Sequence, residues 1–169
     1  MPKGLPRSMS RGRAIQQEII RLQIPIRGLT VNITDPGAAV AYGGAAIQGL
    51  PEGNILLLGA VANLRVTAGA NIIAAFTGNF SVGTAITADA TLSGAKVNLV
   101  PSTALVTGSG GVSSGNRGVS TTAGAILDNT DRTLNANLNV TIADASISAS
   151  SSVTVDGVLY LAFIALGDD

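Results

Sequence analysis

The chain of 169 residues contains no histidine, no cysteine and no tryptophan. Without imidazole or thiolate it builds no Ser-His-Asp or Cys-His nucleophile, has no side chain that shuttles protons near neutral pH, and offers no nitrogen or sulfur ligand for zinc, copper or haem. Charge is scarce as well: Asp, Glu, Lys and Arg make up 12% of the residues, about half the ~25% usual in soluble domains. Aromatic side chains are limited to Tyr42, Phe76, Phe80, Tyr160 and Phe163. Long apolar runs are missing too. Ile55 to Ala62 and Val158 to Leu166 are the longest uncharged ones, well short of the roughly 20 residues that a spanning helix needs. Gln16, Gln17, Glu18 and Arg21 interrupt the start where a signal peptide keeps a continuous apolar core. The sequence predicts a protein made in the cytoplasm, neither secreted nor membrane-spanning.

What is present is alanine, glycine, valine, isoleucine, leucine, serine and threonine, a set suited to backbone pairing and close packing. The length fits one domain that buries roughly 70% of the surface its unfolded chain exposes, so the missing disulfides cost it little and a reducing compartment suits it. A surface so thinly charged is expected to lie against something else.

The formal net charge is zero, but it is unevenly spread. Residues 1–27 carry Lys3, Arg7, Arg11, Arg13, Arg21 and Arg27 against Glu18 alone, whereas the remainder carries Arg65, Lys96, Arg117 and Arg132 against nine acids. A basic arm, residues 1–25, thus precedes a mildly acidic body, residues 26–169. Such an arm docks on an acidic protein neighbour, holds phosphates, or stays solvated. Nucleic acid is the weaker reading, because the arm has no aromatic residue on which bases stack. Ser10 caps a possible short helix from about Arg11 to Gln23, with Ile15, Ile19 and Leu22 on one stripe. That stripe is narrow, so the helix needs a surface to form on.

From about Ile24 the pattern changes to β-branched residues alternating with small polar ones between turn residues, which predicts strands. The clearest is Leu134 to Ile142, with apolar residues on one face and Asn135, Asn137, Asn139 and Thr141 on an outer one. Further strands are predicted at Ile26 to Ile33, Ile55 to Thr67, Ile72 to Val82, Lys96 to Val100, Gly124 to Leu127, Ala145 to Ser148 and Val153 to Leu166. The fold expected is all-β, an antiparallel β-sandwich of jelly-roll type with a basic N-terminal arm. Asp156-Gly157 marks a hairpin or a bulge in one long strand. Val158 to Leu166 is apolar on both faces, as befits a central strand or an edge that another subunit covers.

Thr107 to Gly118 is glycine- and serine-rich and is read as a long mobile loop, with Arg117 its only charge. Neither a phosphate-binding nor a dinucleotide-binding motif fits it. Ala88-Asp89-Ala90-Thr91-Leu92-Ser93 is echoed by Ala143-Asp144-Ala145-Ser146-Ile147-Ser148, which either marks two matching corners of the sandwich or is coincidence in a chain of low complexity. The aspartates do not sit in a calcium-loop pattern. Asp128 and Asp131 are the nearest carboxylate pair for glycoside hydrolysis, but they flank a turn and lack aromatic company. Phe76, Phe80 and Phe163 are expected in the core. No enzymatic activity, metal or cofactor is expected.

Leu50-Pro51-Glu52-Gly53-Asn54-Ile55, Thr87-Ala88-Asp89-Ala90-Thr91-Leu92-Ser93-Gly94, Val100-Pro101-Ser102-Thr103-Ala104, Leu127-Asp128-Asn129-Thr130 and the ending from Gly157-Val158-Leu159-Tyr160 to Asp169 resemble small virion proteins of tailed bacteriophages. They look like head decoration, or cement, proteins. The resemblance covers roughly residues 50–169 and leaves out the arm. It implies a β-rich homo-oligomer, dimer or trimer, that binds the major capsid protein on the virion exterior, bridges capsomers to stabilise the head, and takes no cofactor. Charge and periodicity place the expected capsid contacts at Arg7, Arg11, Arg13, Ile15, Ile19, Arg21 and Leu22 of the arm and at Arg117 of the loop. Two other readings remain open: a phage tail or head fibre component, and a carbohydrate-binding β-sandwich module.

Overall fold

The computed structural model describes residues 19–120 and 123–167. Nine strands account for most of them: β1 (Ile19–Ile33), β2 (Ala41–Gly49), β3 (Gly53–Ala68), β4 (Gly78–Gly83), β5 (Val100–Ala104), β6 (Val112–Val119), β7 (Ile126–Asn129), β8 (Asn135–Ile142) and β9 (Ser151–Gly167). They form two sheets. The long sheet has the order β1-β9-β3-β6, with β7 pairing the start of β3, and the short sheet has the order β2-β8-β4-β5. With β7 set aside, the pairs are nested: β1 with β9, β2 with β8, β3 with β6, and β4 with β5, all antiparallel. A single folded ribbon rolled into two layers gives this order, and it is the jelly roll that the sequence predicts.

Alternation along the strands sets the core. Ile24, Ile26, Val31 and Ile33 of β1, Ile55, Leu57, Ala60, Ala62, Leu64 and Val66 of β3, and Val153, Val155, Leu159, Leu161 and Phe163 of β9 turn inward and meet Phe80, Val82, Ala136, Leu138, Val140 and Ile142 of the short sheet. Phe76, Phe80 and Phe163 are fully buried, as expected. Small residues allow the layers to close at the sheet edges. An added Cβ at Gly118 would overlap the side chains of Val100 and Phe80, so only glycine fits where β6 crosses beneath them.

β9 is one continuous strand, and Asp156-Gly157 makes no hairpin. The irregularity lies in its partner, where Arg27 and Gly28 together oppose Asp156 between the pairs Ile26–Gly157 and Leu29–Val155. Gly28 adopts φ +59°, a conformation glycine enters freely, and its N–H donates to Asp156 Oδ1 at 2.8 Å.

Several expectations are corrected. The helix ending at Gln23 is absent from Ile19 onward: Ile19 to Gln23 are strand, paired with Tyr160 to Ile164. Ile20, Leu22, Ile24 and Ile26 also satisfy a period of two, and the backbone partners on β9 outweigh a narrow helical stripe. Residues 11–18 of that helix lie outside the described residues. The mobile loop at 107–118 is largely strand, because Val112–Val119 pairs with β3. The strand expected at Lys96 to Val100 begins only at Val100, after a 3-10 turn at Gly94–Lys96, and Ala145 to Ser148 is no strand, since a 3-10 turn at Asp144–Ser146 opens it and Ile147 makes only an isolated bridge to Ile72. The strand at Ile72 to Val82 shrinks to Gly78–Gly83, and Ala41–Gly49 is a strand the sequence did not announce. The two echo segments differ in structure, since Asp89 accepts from the Thr91 N–H whereas Asp144 opens a 3-10 turn.

The polar side of β8 is also not an outer surface. Asn137, Asn139 and Thr141 are buried, because the connection 84–99 folds over them. Asn139 holds it there: its Oδ1 accepts from Thr87 N–H at 2.7 Å and its Nδ2 donates to the Ala85 and Lys96 carbonyls, both at 3.0 Å. Ser81 Oγ donates to the same Lys96 carbonyl at 2.8 Å. Replacing Asn139 by Ala strands the Thr87 N–H and the Ala85 carbonyl and leaves the Lys96 carbonyl to Ser81 Oγ alone. Asn139→Ala should cost about 3 kcal/mol, or roughly 6 to 12 °C in melting temperature, with new proteolytic cleavage within 84–99. A melting temperature within 2 °C of wild type, as an order-of-magnitude tolerance, would refute this account of the cover.

Candidate functional site

The two faces of the long sheet are unlike each other. Residues directly opposite on neighbouring strands share a face, so the register reads out the outer face row by row. The first row is Ile19, Ile164, Leu56 and Ile126; the second Arg21, Ala162 and Gly59; the third Gln23, Tyr160, Val61 and Val119; the fourth Pro25, Val158, Asn63 and Arg117. Beyond them come the bulge at Arg27 and Gly28, then Asp156 and Arg65. This half of the face is largely apolar, although none of the other described residues covers it. Ile19 is 53%, Ile126 63%, Val119 45% and Tyr160 40% exposed, which sets them apart from the buried residues of the same strands.

A β-bulge shapes the centre of the patch. Between the pairs Leu57–Phe163 and Gly59–Ala162, β3 carries an extra residue, Leu58. Leu58, Gly59, Val61, Val119, Tyr160 and Arg21 line a shallow groove of about 430 Å³. A second depression of about 410 Å³ lies between Arg65, Arg117 and Asp156.

Charge on this face is mainly basic. Arg21, Arg27, Arg65 and Arg117 are exposed and make no ion pair among the described residues. Asp156 is the acid among their rows, and its carboxylate already accepts the Gly28 N–H. Asp128, beside Asn54, marks the β7 end.

No family model matches this chain, and no curated protein does. Similar solved structures exist. One is a chain of the cyanophage Pam1 capsid asymmetric unit, 18% identical over 98% of this chain and 99% of that one, with a TM-score of 0.43. Another is a chain of infectious bursal disease virus, Gt strain, 11% identical over 86% of this chain and 32% of that one, with a TM-score of 0.37. Both likenesses are distant, so function is read from the geometry of this chain alone.

That geometry gathers part of the residue set expected from sequence. Ile19, Arg21 and Arg117 lie on the same exposed face, although Arg117 sits on a strand rather than a loop. Leu22 turns the other way and packs against the core. Arg7, Arg11, Arg13 and Ile15 lie outside the described residues. Sequence reasoning missed Arg27, Arg65, Leu56, Val119, Ile126 and Tyr160. The available signal was the run Val158 to Leu166, apolar on both faces: β9 is central in the sheet, and its outer side chains are exposed at Tyr160 and half-buried at Val158, Ala162, Ile164 and Leu166.

The carboxylates are engaged in turns. Asp128 Oδ1 accepts from the Thr130 hydroxyl at 2.8 Å and from its N–H at 3.1 Å, and Asp131 does the same with Thr133. Each aspartate thus closes its own turn. Among the described residues no group of three acids gathers to hold a metal ion. Hydrogen bonds from the Thr130 hydroxyl, then from its N–H, hold the Asp128 carboxyl below the ordinary aspartate range.

The Asp89 carboxyl is also held low, first by its hydrogen bond to Lys96 Nζ at 2.7 Å and then by the Thr91 N–H. Lys96 Nζ also donates to the Thr91 carbonyl at 2.9 Å, closing a latch on the connection 84–99. A depressed carboxylate contributes above its unfolded pKa and loses that contribution as pH falls through the folded value. The latch should therefore stay closed to below the ordinary aspartate range. An NMR titration should place the Asp89 midpoint below that of a free aspartate, and Lys96→Gln should raise it. An unchanged midpoint in the variant would remove Lys96 as the cause.

Proposed function

We propose that this chain is a virion structural protein of a bacteriophage, a decoration or cement protein that binds the outside of the capsid and bridges capsomers. One observation carries the reading: a long, paired sheet presents a face that no other described residue covers and whose centre is apolar. Monomeric soluble proteins seldom leave such a patch bare. The resemblance of residues 50–169 to head decoration proteins supports the same role.

The physical account is multivalency. A homo-oligomer that engages several capsid subunits gains effective concentration with each contact, so individually modest contacts hold the shell against internal pressure. The major capsid protein is the partner in this reading, and the exterior of the virion the location. No step needs a cofactor.

Purified protein mixed with undecorated heads should co-sediment with them and raise the temperature at which they release DNA. Protein that stays in the supernatant at concentrations of about 10 μM, well above typical weak interfaces, would rule out the decoration role.

A further inference from the structure

We propose that the outer face of the long sheet is the surface that docks, and that its occupant is a protein surface with an apolar centre ringed by carboxylates. This rests on the decoration reading, which leaves open the side of the jelly roll that meets the shell and the chemistry of the surface it meets.

Size comes first. The face spans four strands about 4.8 Å apart and about twelve residues at about 3.3 Å each, roughly 750 Å² in all. That is close to the ~800 Å² per partner of a stable, specific interface. Its anatomy also fits, with Tyr160 in an apolar centre and arginines around it, and tyrosine and arginine are enriched where proteins meet.

Charge then selects the occupant. Arg21, Arg65 and Arg117 stand on three different strands, with Arg27 at the β1 edge, and among the described residues the acid in their rows is Asp156, already bonded to the Gly28 N–H, with Asp128 at the far β7 end. A partner that covers them must supply acceptors, because a guanidinium taken out of water without a carboxylate is costly. A second copy does not supply them. If two copies met face to face about a two-fold axis along the strands, Arg65 would meet Asp156 of the other copy, whose carboxylate already holds the Gly28 N–H, and Arg21, Arg27 and Arg117 would meet no acid among the described residues. About an axis across the strands, arginine would lie on the apolar rows. Both arrangements leave most of the charge unpaired. Nucleic acid supplies phosphates, but Ile19, Leu56, Val61 and Val119 would then face a polar backbone, and Tyr160 is the face's lone aromatic. A carboxylate-ringed apolar protein surface satisfies both halves of the face.

The test measures binding of wild type, Arg65→Glu/Arg117→Glu and Tyr160→Asp to undecorated heads, with melting temperature as the check on folding. The double reversal should weaken binding about 100-fold, taking about tenfold per charge, and Tyr160→Asp at least about tenfold. Raising NaCl from about 0.05 to about 0.5 M should weaken the wild type several-fold. Arg21→Glu on β1 gives the same readout should the double variant fail to fold. If wild type binds and the folded variants bind equally well, the docking face is wrong while the decoration reading stands. If wild type does not bind heads at all, that reading itself fails. Wild type that sediments as a dimer while Tyr160→Asp is monomeric would make the face a self-interface. Tight binding of wild type to duplex DNA, lost in Arg65→Glu/Arg117→Glu, would make it a nucleic-acid surface. Each of these last two results overturns the proposal.

Discussion

Both edges of β9 are paired, and most of the architecture follows from that condition. This strand of 17 residues lies between β1 and β3, of 15 and 16 residues, so the last strand of the chain is fixed by the first and the third. Once β1 and β9 pair, the strands between them can close only in nested order, and the ribbon rolls into two layers. Such closure joins distant segments, which makes folding slow relative to a helical protein of the same size. The return is a broad, continuous sheet with one side in the core. The platform described above exists because β9 has no free edge: its outer side chains have β1 and β3 beside them and no other described residue above.

Connections in a chain with so few large side chains need another anchor, and asparagine supplies it. The amide carries one acceptor and two donors, a copy of the peptide group. Asn116 Oδ1 accepts from Val106 N–H at 2.7 Å while its Nδ2 donates to the Leu64 and Ser113 carbonyls, both at 3.2 Å, tying the β5–β6 connection to β3. Asn129 Nδ2 reaches the Leu50 and Pro51 carbonyls at 3.0 and 2.7 Å, and its Oδ1 accepts from Leu134 N–H at 2.8 Å. Together with Asn139, each acts as a strand's missing neighbour at a point where the backbone ladder ends. A buried amide left half-bonded is expensive, so these residues specify the loop paths as well as stabilise them.

The same chemistry explains what was legible in the sequence. Strands with apolar residues at alternate positions, β3, β8 and β9, were readable because the alternate apolar side chains do turn into the core, although on β8 the polar face is buried as well. Strand β6 was not, since Val112-Ser113-Ser114-Gly115-Asn116-Arg117-Gly118 has the composition of a loop. It is a strand because Asn116 bonds inward and because Gly118 lets Val100 and Phe80 approach. Strand β2, with Gly43 and Gly44, is hidden for a related reason: an added Cβ at Gly43 would overlap the Asn32 carbonyl, so close packing and not propensity places it. Asn137 and Asn139 alternate as a solvated face would, and only the folded position of 84–99 shows that they are covered. Of the outer face of the long sheet, Ile19, Arg21 and Arg117 were singled out by charge and periodicity, although the period along β1 is two and not that of a helix. Arg27, Arg65 and Tyr160 come from strands far apart in sequence, and no local pattern joins them.

Opposite charges have separate tasks in this molecule, which is why a net charge of zero says little about it. Asp35, Asp89, Asp128, Asp131 and Asp156 each accept a backbone N–H, so the acids are drawn into turns and one bulge. Arginine, an obligatory donor, cannot serve a backbone N–H and is left to point outward. Four of the arginines fall on the long sheet because its strands, unlike the connections, keep side chains perpendicular to a flat surface. The field over that face is therefore positive at distances of about a Debye length, about 8 Å in physiological salt, while the molecule as a whole is neutral. An approaching acidic surface is drawn to one side of the jelly roll, and orientation is selected before any apolar contact forms.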